Sequence, residues 1–321
     1  MSEKKTKSTT TKKSSGSSAK KTSGTKKGKK KITLTFKELI IIAVAFIALF
    51  IAYQYSPAVR SVVDYVIAEI FVEESAPVQG GVSIGSVDLS DEYLLPVCPG
   101  GKDHQHRDFS GYSVCYRESY EQAEWAATCL TREKVSKKAS SRTDNFRSDP
   151  QIVTGSASPD DYKSTGYDRG HLVPAADLAW SAESMEDSFY MSNMSPQAAK
   201  FNRGIWKELE EQVREWAKKY GTVYTVSGPI LEKKKYKTIG ESKVAVPEYY
   251  YKVLLAHTDD DKWEAIGFIL PNEDSKKSFI DFAVSVDEVE ERCNIDFFAP
   301  LDDEAEAVLE SQYNAAFWGL K

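Results

Sequence analysis

Two residues in the middle of the chain have the types and the spacing needed for hydrolytic chemistry. His171, one of four histidines, ends the motif Asp168-Arg-Gly-His171, and Asn202 follows it 31 residues later. An imidazole whose pKa is close to neutral can accept a proton from water at working pH. A carboxamide oxygen is a neutral ligand of the kind that Mg²⁺ accepts. The pair therefore predicts metal-assisted hydrolysis of a phosphodiester, with His171 as the base.

Two further candidates follow on the helix that is predicted after Asn202. Glu210 lies eight residues beyond Asn202, which on a regular helix is about two turns along the same face. Arg214 lies one turn beyond Glu210 and could reach a phosphate. Each has a structural alternative. Asn202 could be the N-cap of the helix, and Glu210 with Arg214 could be an i,i+4 surface ion pair.

Apolar patterns predict the elements that would position these side chains. Alternation of apolar and polar residues predicts strands, and a 3.6-residue period predicts helices. The predicted class is α+β, with a central, mostly antiparallel sheet flanked by helices, one of which carries part of the site. Trp206 and Trp216 are predicted to lie in the core. The predicted strands are 110–117, 125–131, 222–228, 249–256 and 263–270, and the predicted helices are 183–190, 205–220 and the end of 279–291.

The first part of the chain has a composition unlike the rest. Residues 1–31 hold twelve lysines and one glutamate with almost no apolar side chains, which predicts disorder. Residues 32–55 contain an uncharged apolar run that starts at Leu39 and predict a single transmembrane signal anchor. The lysine-rich head predicts a cytoplasmic N-terminus. Residues 56–92 would then be a stalk, and 93–321 a domain on the extracellular or periplasmic side.

The apolar run has two alternatives to the signal anchor. A cleaved signal peptide usually has a short charged region and ends at small residues. Here the basic head is long, and no Ala-x-Ala site follows the apolar run. A buried core helix is the other alternative, and the charged head disfavours it.

Charge is divided unevenly along the chain. The net charge is −6, and because the head contributes +11, the remainder holds 30 basic and 47 acidic residues. Such an acidic body excludes strong global attraction to nucleic acid and requires a local basic surface and metal ions. The run 233–237, with four lysines, is interpreted as a solvated turn in preference to a phosphate contact.

The cysteines leave two alternatives open. None of the four has C-x-x-C spacing, and with four histidines in the whole chain a zinc site is not predicted. Outside the cytoplasm they could form up to two disulfides, with three pairings. Otherwise they would be buried free thiols. The residues are Cys98, Cys115, Cys129 and Cys293.

Several stretches of the chain resemble one known family in the same order. The segments around the two central residues and later segments resemble the DNA/RNA non-specific endonucleases, the ββα-metal nucleases that include endonuclease G. The similarity extends over roughly residues 107–301. An ordered set of motifs over one domain is far more specific than any single motif. The similar segments are 166–175, 189–197, 201–210, 223–230, 244–252 and 285–293.

The resemblance implies the ββα-metal nuclease fold and a division of labour at the centre of the site. It places His171 as the general base and Asn202 as a direct metal ligand. Glu210 would be an outer carboxylate that holds a metal-bound water. The implied cofactor is Mg²⁺, with Mn²⁺ as a substitute.

The resemblance also implies roles for the residues around that centre. Arg169 and Arg214 are placed near the phosphates. Arg142 stands close to the position at which relatives carry a phosphate-binding arginine. Asp168 is expected to brace the motif through hydrogen bonds, and Asn193 is expected to be a structural hydrogen-bonding residue near the site.

These observations predict a membrane-anchored, sugar-non-specific endonuclease that cleaves DNA and RNA and, as the resemblance implies, leaves 5′-phosphate ends. Contact through phosphates explains the lack of specificity, because nothing in the motif reads base edges. One alternative is a catalytically silent nucleic-acid-binding or scaffold protein that keeps the fold. Another is a phosphodiesterase for a different substrate. A homodimer is known among relatives, and the sequence leaves the oligomeric state open.

Overall fold

The structure, a computed structural model, describes Gly81 and residues 94–320. The predicted head 1–31 and signal anchor 32–55 lie outside the described residues, as does the predicted stalk 56–92 apart from Gly81. In the part of the chain that is described, no helix has both the length and the apolar character needed to cross a bilayer.

A seven-stranded sheet forms the centre of the described region, in the order β1-β2-β3-β6-β9-β10-β11. Every neighbouring pair in it is antiparallel. The remaining strands form two separate antiparallel pairs, β4 with β5 and β7 with β8. The strands are β1 His104–Phe109, β2 Tyr112–Arg117, β3 Gln122–Thr131, β4 Tyr167–His171, β5 Met194–Ala198, β6 Gly221–Pro229, β7 Thr238–Ile239, β8 Val244–Ala245, β9 Tyr249–Thr258, β10 Trp263–Pro271 and β11 Ala283–Val284.

Helices cover both faces of this sheet. On one face α4 packs through its apolar stripe, which includes Leu209, Val213 and Trp216, and it ends where Gly221 takes a φ of 110°. On the other face α5 and α6 pack against a second core. The helices are α1 Arg132–Ser136, α2 Ala182–Asp187, α3 Ala199–Phe201, α4 Lys207–Tyr220, α5 Val286–Cys293, α6 Asp303–Glu310 and α7 Ala315–Trp318, and Asn202–Trp206 joins α3 to α4.

Side chains point alternately to the two faces of each strand, so one sheet contributes to two cores. In β9, Tyr250 and Leu254 belong to the core under α4, whereas Tyr251 and Val253 belong to the core under α5 and α6. Residues two apart on a strand share a face. Lys252 therefore points to the α4 side, where it lies over the Trp206 ring.

The predicted mixed class with a central antiparallel sheet is confirmed, as are the five predicted strands and the helix 205–220, with small shifts at their ends. Trp206 and Trp216 are in the core, as predicted. β1 was not predicted, because its sequence His-Gln-His-Arg-Asp-Phe has little apolar alternation. The segment 279–291 is helical only in part, since a 3₁₀ turn and β11 precede α5.

One disulfide is present in the described region. It joins Cys98 to Cys115 across a Cα–Cα distance of 5.5 Å, so the segment before β1 is fastened to β2. Cys129 is buried and Cys293 is half-buried. The alternative of four free thiols is therefore wrong, and one of the up to two disulfides that the cysteines allowed is present.

Candidate active site

The motif forms one strand of a hairpin that leads directly into a helix. β4 pairs with β5, with His171 opposite Met194 and Asp168 opposite Gln197, and α3 begins immediately after β5. Gly170 is required here, because a Cβ at this position would lie 2.1 Å from Oε1 of Gln197. The hairpin and the following helical segments therefore form the ββα unit that holds the predicted residues.

Asp168 fixes the orientation of Asn202. The Asn202 Nδ2 donates to Asp168 Oδ2 at 2.9 Å, and the Arg203 guanidinium donates to both carboxylate oxygens at 2.8 and 2.6 Å. A carboxylate only accepts hydrogen bonds, so the amide nitrogen must face Asp168. The Asn202 Oδ1 is thereby left to face away from Asp168, and the bracing expected of Asp168 is present.

The N-cap alternative for Asn202 is wrong. Asn202 has helical backbone angles (φ −57°, ψ −45°), and the N-cap of α3 is Ala198. The premise that Asn202 and Glu210 lie on one regular helix is also wrong. Residues Asn202–Trp206 form a wide π-type segment that is kinked at Gly204 (φ −108°, ψ −113°), and α4 begins only after it. Such segments are rare and frequently occur at functional sites.

His171 is enclosed by aromatic rings. Its imidazole makes edge-to-face contacts with Phe146 and Phe189 at centroid distances of 5.7 and 5.2 Å. Its Nε2 is buried and has no hydrogen-bond partner among the described residues. Burial, followed by the positive charges of Arg142 and Arg169, lowers the pKa of His171 to about 3. The imidazole is therefore neutral and its Nε2 can accept a proton.

The two arginines stack on the outer sides of the same rings. The Arg169 guanidinium lies 4.1 Å from the centroid of Phe146, and the Arg142 guanidinium lies 5.1 Å from that of Phe189. Both side chains reach solvent, and Arg142 also pairs with Asp144 at 2.7 Å. The arrangement leaves positive charge at the edge of the histidine pocket.

Glu210 lies in a half-buried group of charges on α4. Burial raises the pKa of Glu210 to about 8, and the positive charges of Lys252, Arg214 and Arg142 oppose this rise. Since Arg142 acts on both Glu210 and His171, these two residues border the same region. The structure thus brings together residues from β4, from α4 and from the loop before β4.

Arg214 does not pair with Glu210, so the alternative of an i,i+4 surface ion pair is wrong. Instead, Arg214 Nη1 lies 2.7 Å from Asp177 Oδ1, and the two side chains are 17% and 5% exposed. Asp177 accepts this bond in a buried position, which fixes the guanidinium beside Glu210 and raises the pKa of Arg214. Its remaining donors are available to an anion.

Asn193 holds the backbone just after β4 through hydrogen bonds. Its Oδ1 accepts from Val173 N at 2.9 Å, and its Nδ2 donates to the carbonyl oxygens of Val173 and Ser188 at 3.0 Å each. Its backbone carbonyl also accepts from Leu172 N. Asn193 is fully buried and therefore holds the chain just after His171, which agrees with the structural role expected for it.

Lys252 contributes to this site although the sequence motifs do not include it. Lys252 is 3% exposed, donates from Nζ to Ser227 Oγ, and carries charge that acts on Glu210 and Asp177. Burial lowers its pKa. A signal was present in the sequence, because a lysine within an apolar strand is rarely buried without a partner. Phe146 and Phe189 were also missed, since their contacts depend on the tertiary fold.

A basic and aromatic cavity of about 510 Å³ opens at the other end of β4. Its walls include Tyr167 and the loop 233–237. Lys237 Nζ lies 4.9 Å from the centroid of the Tyr167 ring, and Lys233 Nζ pairs with Glu248 at 2.5 Å. The four lysines of this loop are exposed, as a solvated turn requires, and the loop also forms one wall of the cavity.

The donor set suits a hard divalent cation. Asn202 Oδ1 is oriented by the hydrogen bond that its own amide nitrogen makes to Asp168, and Glu210 supplies a half-buried carboxylate. A site with few protein oxygens and several waters is typical of Mg²⁺. The residues present thus fit such an ion.

Comparison with protein families gives a match over most of the chain. The family model for DNA/RNA non-specific endonucleases matches residues 90–304. This range contains the hairpin, the helix α4 and all of the candidate residues.

Named relatives are nucleases from several organisms. Human mitochondrial nuclease EXOG is 33% identical over 211 residues, which are 61% of this chain and 57% of that protein. Human mitochondrial endonuclease G is 32% identical over 178 residues, or 52% and 60% of the two chains. Nuclease C1 of Cunninghamella echinulata is 34% identical over 214 residues, or 61% and 84%. The match thus spans 57% to 62% of the length of the zebrafish, mouse and human EXOG proteins.

A solved structure has the same fold. It is described as the EndoG/EndoGI complex and as showing the mechanism of EndoG inhibition. The TM-score is 0.59 at 30% sequence identity, over 64% of this chain and 89% of that one.

Proposed function

Because this chain belongs to the family of DNA/RNA non-specific endonucleases, we propose that it is an endonuclease that hydrolyses phosphodiester bonds in both DNA and RNA. The proposed cofactor is Mg²⁺, for which Mn²⁺ can substitute, and the proposed products carry 5′-phosphate ends. The observation that carries the proposal is the buried Nε2 of His171, which has no partner among the described residues and lies on the same strand as the carboxylate that orients Asn202.

His171 is the proposed base. Its neutral imidazole takes a proton from water at Nε2 as the water oxygen attacks phosphorus and the bond to the 3′ oxygen breaks. A pKa of about 3 in the free protein makes this a weak base. Burial is the largest cause of this low pKa, and the charges of Arg142 and Arg169 add to it. The phosphate of a bound substrate would offset these two charges and so strengthen the base.

Asn202 Oδ1 would hold the cation directly, and Glu210 would hold water bound to it. When bound, the cation supplies charge relief on the phosphoryl oxygens and on the departing oxygen. Arg169, Arg142 and Arg214 would bind phosphates. Asp177 holds Arg214 in place, and a guanidinium fixed in this way can bind a phosphate with little loss of entropy.

A row of cations supports binding of a polynucleotide strand across the site. Tyr167, Arg169 and His171 lie on one face of β4 by strand alternation, over about 13 Å. Lys237 lies over Tyr167 at the far end. Positive charge thus extends from Arg142 through Arg169 to Lys237, and contacts of this kind position a strand without reading its bases.

Membrane attachment is also part of the proposal, and it rests on the sequence alone. The apolar run in residues 32–55 would anchor the protein as a single-pass signal anchor, with residues 1–31 in the cytoplasm and the nuclease domain outside it. Extraction of cell membranes with alkaline carbonate tests this. The protein should remain with the membranes, and release into the supernatant would contradict the anchor.

The nuclease proposal is tested with the purified full chain on plasmid DNA and on a long RNA. Both should be cut with Mg²⁺ and left intact with EDTA, and His171→Ala should cut at least about 100-fold more slowly. Asn202→Ala should need more Mg²⁺ to reach half its maximal rate. His106→Ala, at an exposed histidine on β1, is the matched control and should retain activity. Undiminished cleavage by His171→Ala, or no cleavage of either polymer by the parent, would overturn the proposal.

A further inference from the structure

A group of carboxylates lies between α5 and α6, on the face of the sheet opposite α4. Asp287 and Glu290 come from α5, and Glu310 is the last residue of α6. Each side chain offers a carboxylate oxygen, and these oxygens all lie within 4.8 Å of one another. The helices themselves are fixed by Val289 and Leu309, which belong to the core on that face.

Glu310 is the member that requires an explanation. Its side chain faces this group although the residue is only 5% exposed, and its Oε1 is buried without a hydrogen-bond partner among the described residues. A buried carboxylate without a partner costs several kcal/mol unless it is neutralised. Glu306, one turn earlier on α6, likewise has a buried Oε1 without a partner.

No basic side chain offsets this charge within the described region. The side chains whose charges act most strongly on Glu310 are all carboxylates. Neither Lys nor Arg forms an ion pair with any member of the group among the described residues. Glu310 also lies at the C-terminal end of its helix, where the partial charges of the carbonyl groups are negative. The acting carboxylates are Glu290, Glu306, Asp287 and Asp296.

We propose that Asp287, Glu290 and Glu310 bind a Ca²⁺ ion that links α5 to α6, separate from the cation of the active site. Three oxygens within 4.8 Å of one another all lie within about 2.8 Å of a common point, and small side-chain rotations bring them to the Ca²⁺–oxygen distance of about 2.4 Å. Mg²⁺ needs about 2.1 Å and keeps more of its water. A set made only of carboxylate oxygens does not suit zinc or copper, which prefer nitrogen and sulfur ligands.

The Glu290 carboxylate is held in place through one of its oxygens. Its Oε1 accepts a hydrogen bond from Phe297 N at 2.7 Å, which fixes the carboxylate after the helix has ended at Cys293. The ion would thus connect α5, the turn at Phe297 and α6. Because it binds the folded state, it stabilises the protein in proportion to the logarithm of its concentration.

The test uses the full chain with Asn202→Ala, so that binding at the active site does not obscure the result. After treatment with EDTA, calorimetric titration with CaCl₂ should show one saturable site per chain, and Ca²⁺ should raise the melting temperature. Glu310→Gln should weaken this binding at least tenfold. The matched control is Glu304→Gln, which removes an exposed charge from the same helix and should change the affinity less than twofold.

The variants also report on folding. Without Ca²⁺, Glu310→Gln should melt no lower than its parent, because it removes a repelling charge. Asp287→Asn, at an exposed position, is a second variant that should weaken binding without disturbing the core. Absence of saturable Ca²⁺ binding, or equal binding by Glu310→Gln, would overturn the proposal, since protonation of Glu310 would then account for its burial. The nuclease assay does not enter this test, so failure here leaves the proposed function unaffected.

Discussion

At the scale of single residues, the surroundings of His171 determine what this histidine can do. Two phenyl rings, Phe146 and Phe189, exclude water from the imidazole, and two arginines stacked on these rings raise the cost of protonating it. Each effect keeps the base neutral. The same arginines face the substrate in the proposed mechanism. The same two positive charges therefore lower the pKa of His171 and bind the phosphate.

The depressed pKa of His171 predicts the pH profile. In the free enzyme the imidazole becomes protonated only as the pH falls towards about 3, so protonation of His171 should not limit kcat/KM near the ordinary histidine value of about 6.5. The measurement is kcat/KM between pH 4.5 and 8 with saturating Mg²⁺, because this ratio reports the free enzyme. Protonation of Glu210, whose pKa is about 8, lowers activity on its own, so only a second tenfold loss per pH unit that begins near 6.5 would show that the imidazole is less shielded than the structure indicates.

Lys252 is predicted to favour the ionised form of Glu210. Its positive charge opposes the rise in the pKa of Glu210, which burial brings to about 8. Lys252→Met should therefore raise that pKa further, lower the rate at pH 7.5 by about tenfold and move the optimum to higher pH. The readout is the pH profile at several Mg²⁺ concentrations.

Lys262→Met, at a partly exposed lysine that pairs with Asp260, is the control for the loss of a lysine charge. An unshifted profile in Lys252→Met would mean that Lys252 only packs over the Trp206 ring.

The chemistry of the motif could be predicted from His171 and Asn202. The partners of Arg214 and Glu210 could not, because they depend on contacts between distant segments, which spacing along a helix does not reveal.

At the scale of elements, the hairpin β4–β5 and the loop 233–237 extend the site beyond its centre. Lys235 and Lys237 line the cavity beside Tyr167. Replacing both with alanine should raise KM severalfold and leave kcat nearly unchanged, because in the proposed mechanism these lysines would touch phosphates away from the bond that breaks. The salt dependence of kcat/KM should also become less steep, by about one unit of log–log slope for each phosphate that is no longer neutralised.

Lys218→Ala, on the last turn of α4, is the control for this pair and should change neither KM nor the salt slope. A fall in kcat with unchanged KM would instead place the loop in a structural role.

Sequence patterns predicted the strands and α4 well, because long elements with one buried face have a strong period. They did not predict the wide segment 202–206 and its kink at Gly204, which lies next to the residues that bind Asp168.

At the scale of the whole molecule, the disulfide Cys98–Cys115 fastens the first described segment to the sheet. It closes a loop with a sequence separation of 17 residues, for which chain entropy gives a stabilisation of about 3 kcal/mol. Reduction should lower the free energy of unfolding, measured with guanidinium, by about this amount. The double variant Cys98→Ala/Cys115→Ala should be unaffected by reductant, and no effect of reductant on the parent would contradict the prediction.

The architecture as a whole was predictable in class but not in its layering. Apolar alternation indicated an antiparallel sheet, and the order of motifs indicated the family. Which helices cover which face could not be read from the sequence, because α5, α6 and α7 are short and their periods are weak. Likewise, the even number of cysteines allowed several pairings, and only the fold selects the pair whose Cα atoms are close.

The last helix joins α4 to the sheet, and this has a consequence for local opening. Trp318 of α7 is 2% exposed, accepts a hydrogen bond from the Trp216 indole on α4 and donates one to Ala265 on β10. Fraying of the final turn would therefore expose the back of α4 to solvent. In hydrogen exchange, the α4 amides should lose their protection together with those of 315–318 while the sheet stays closed. The helix α7 thus acts as a wedge between α4 and β10, and its removal would loosen α4 while the sheet stays paired.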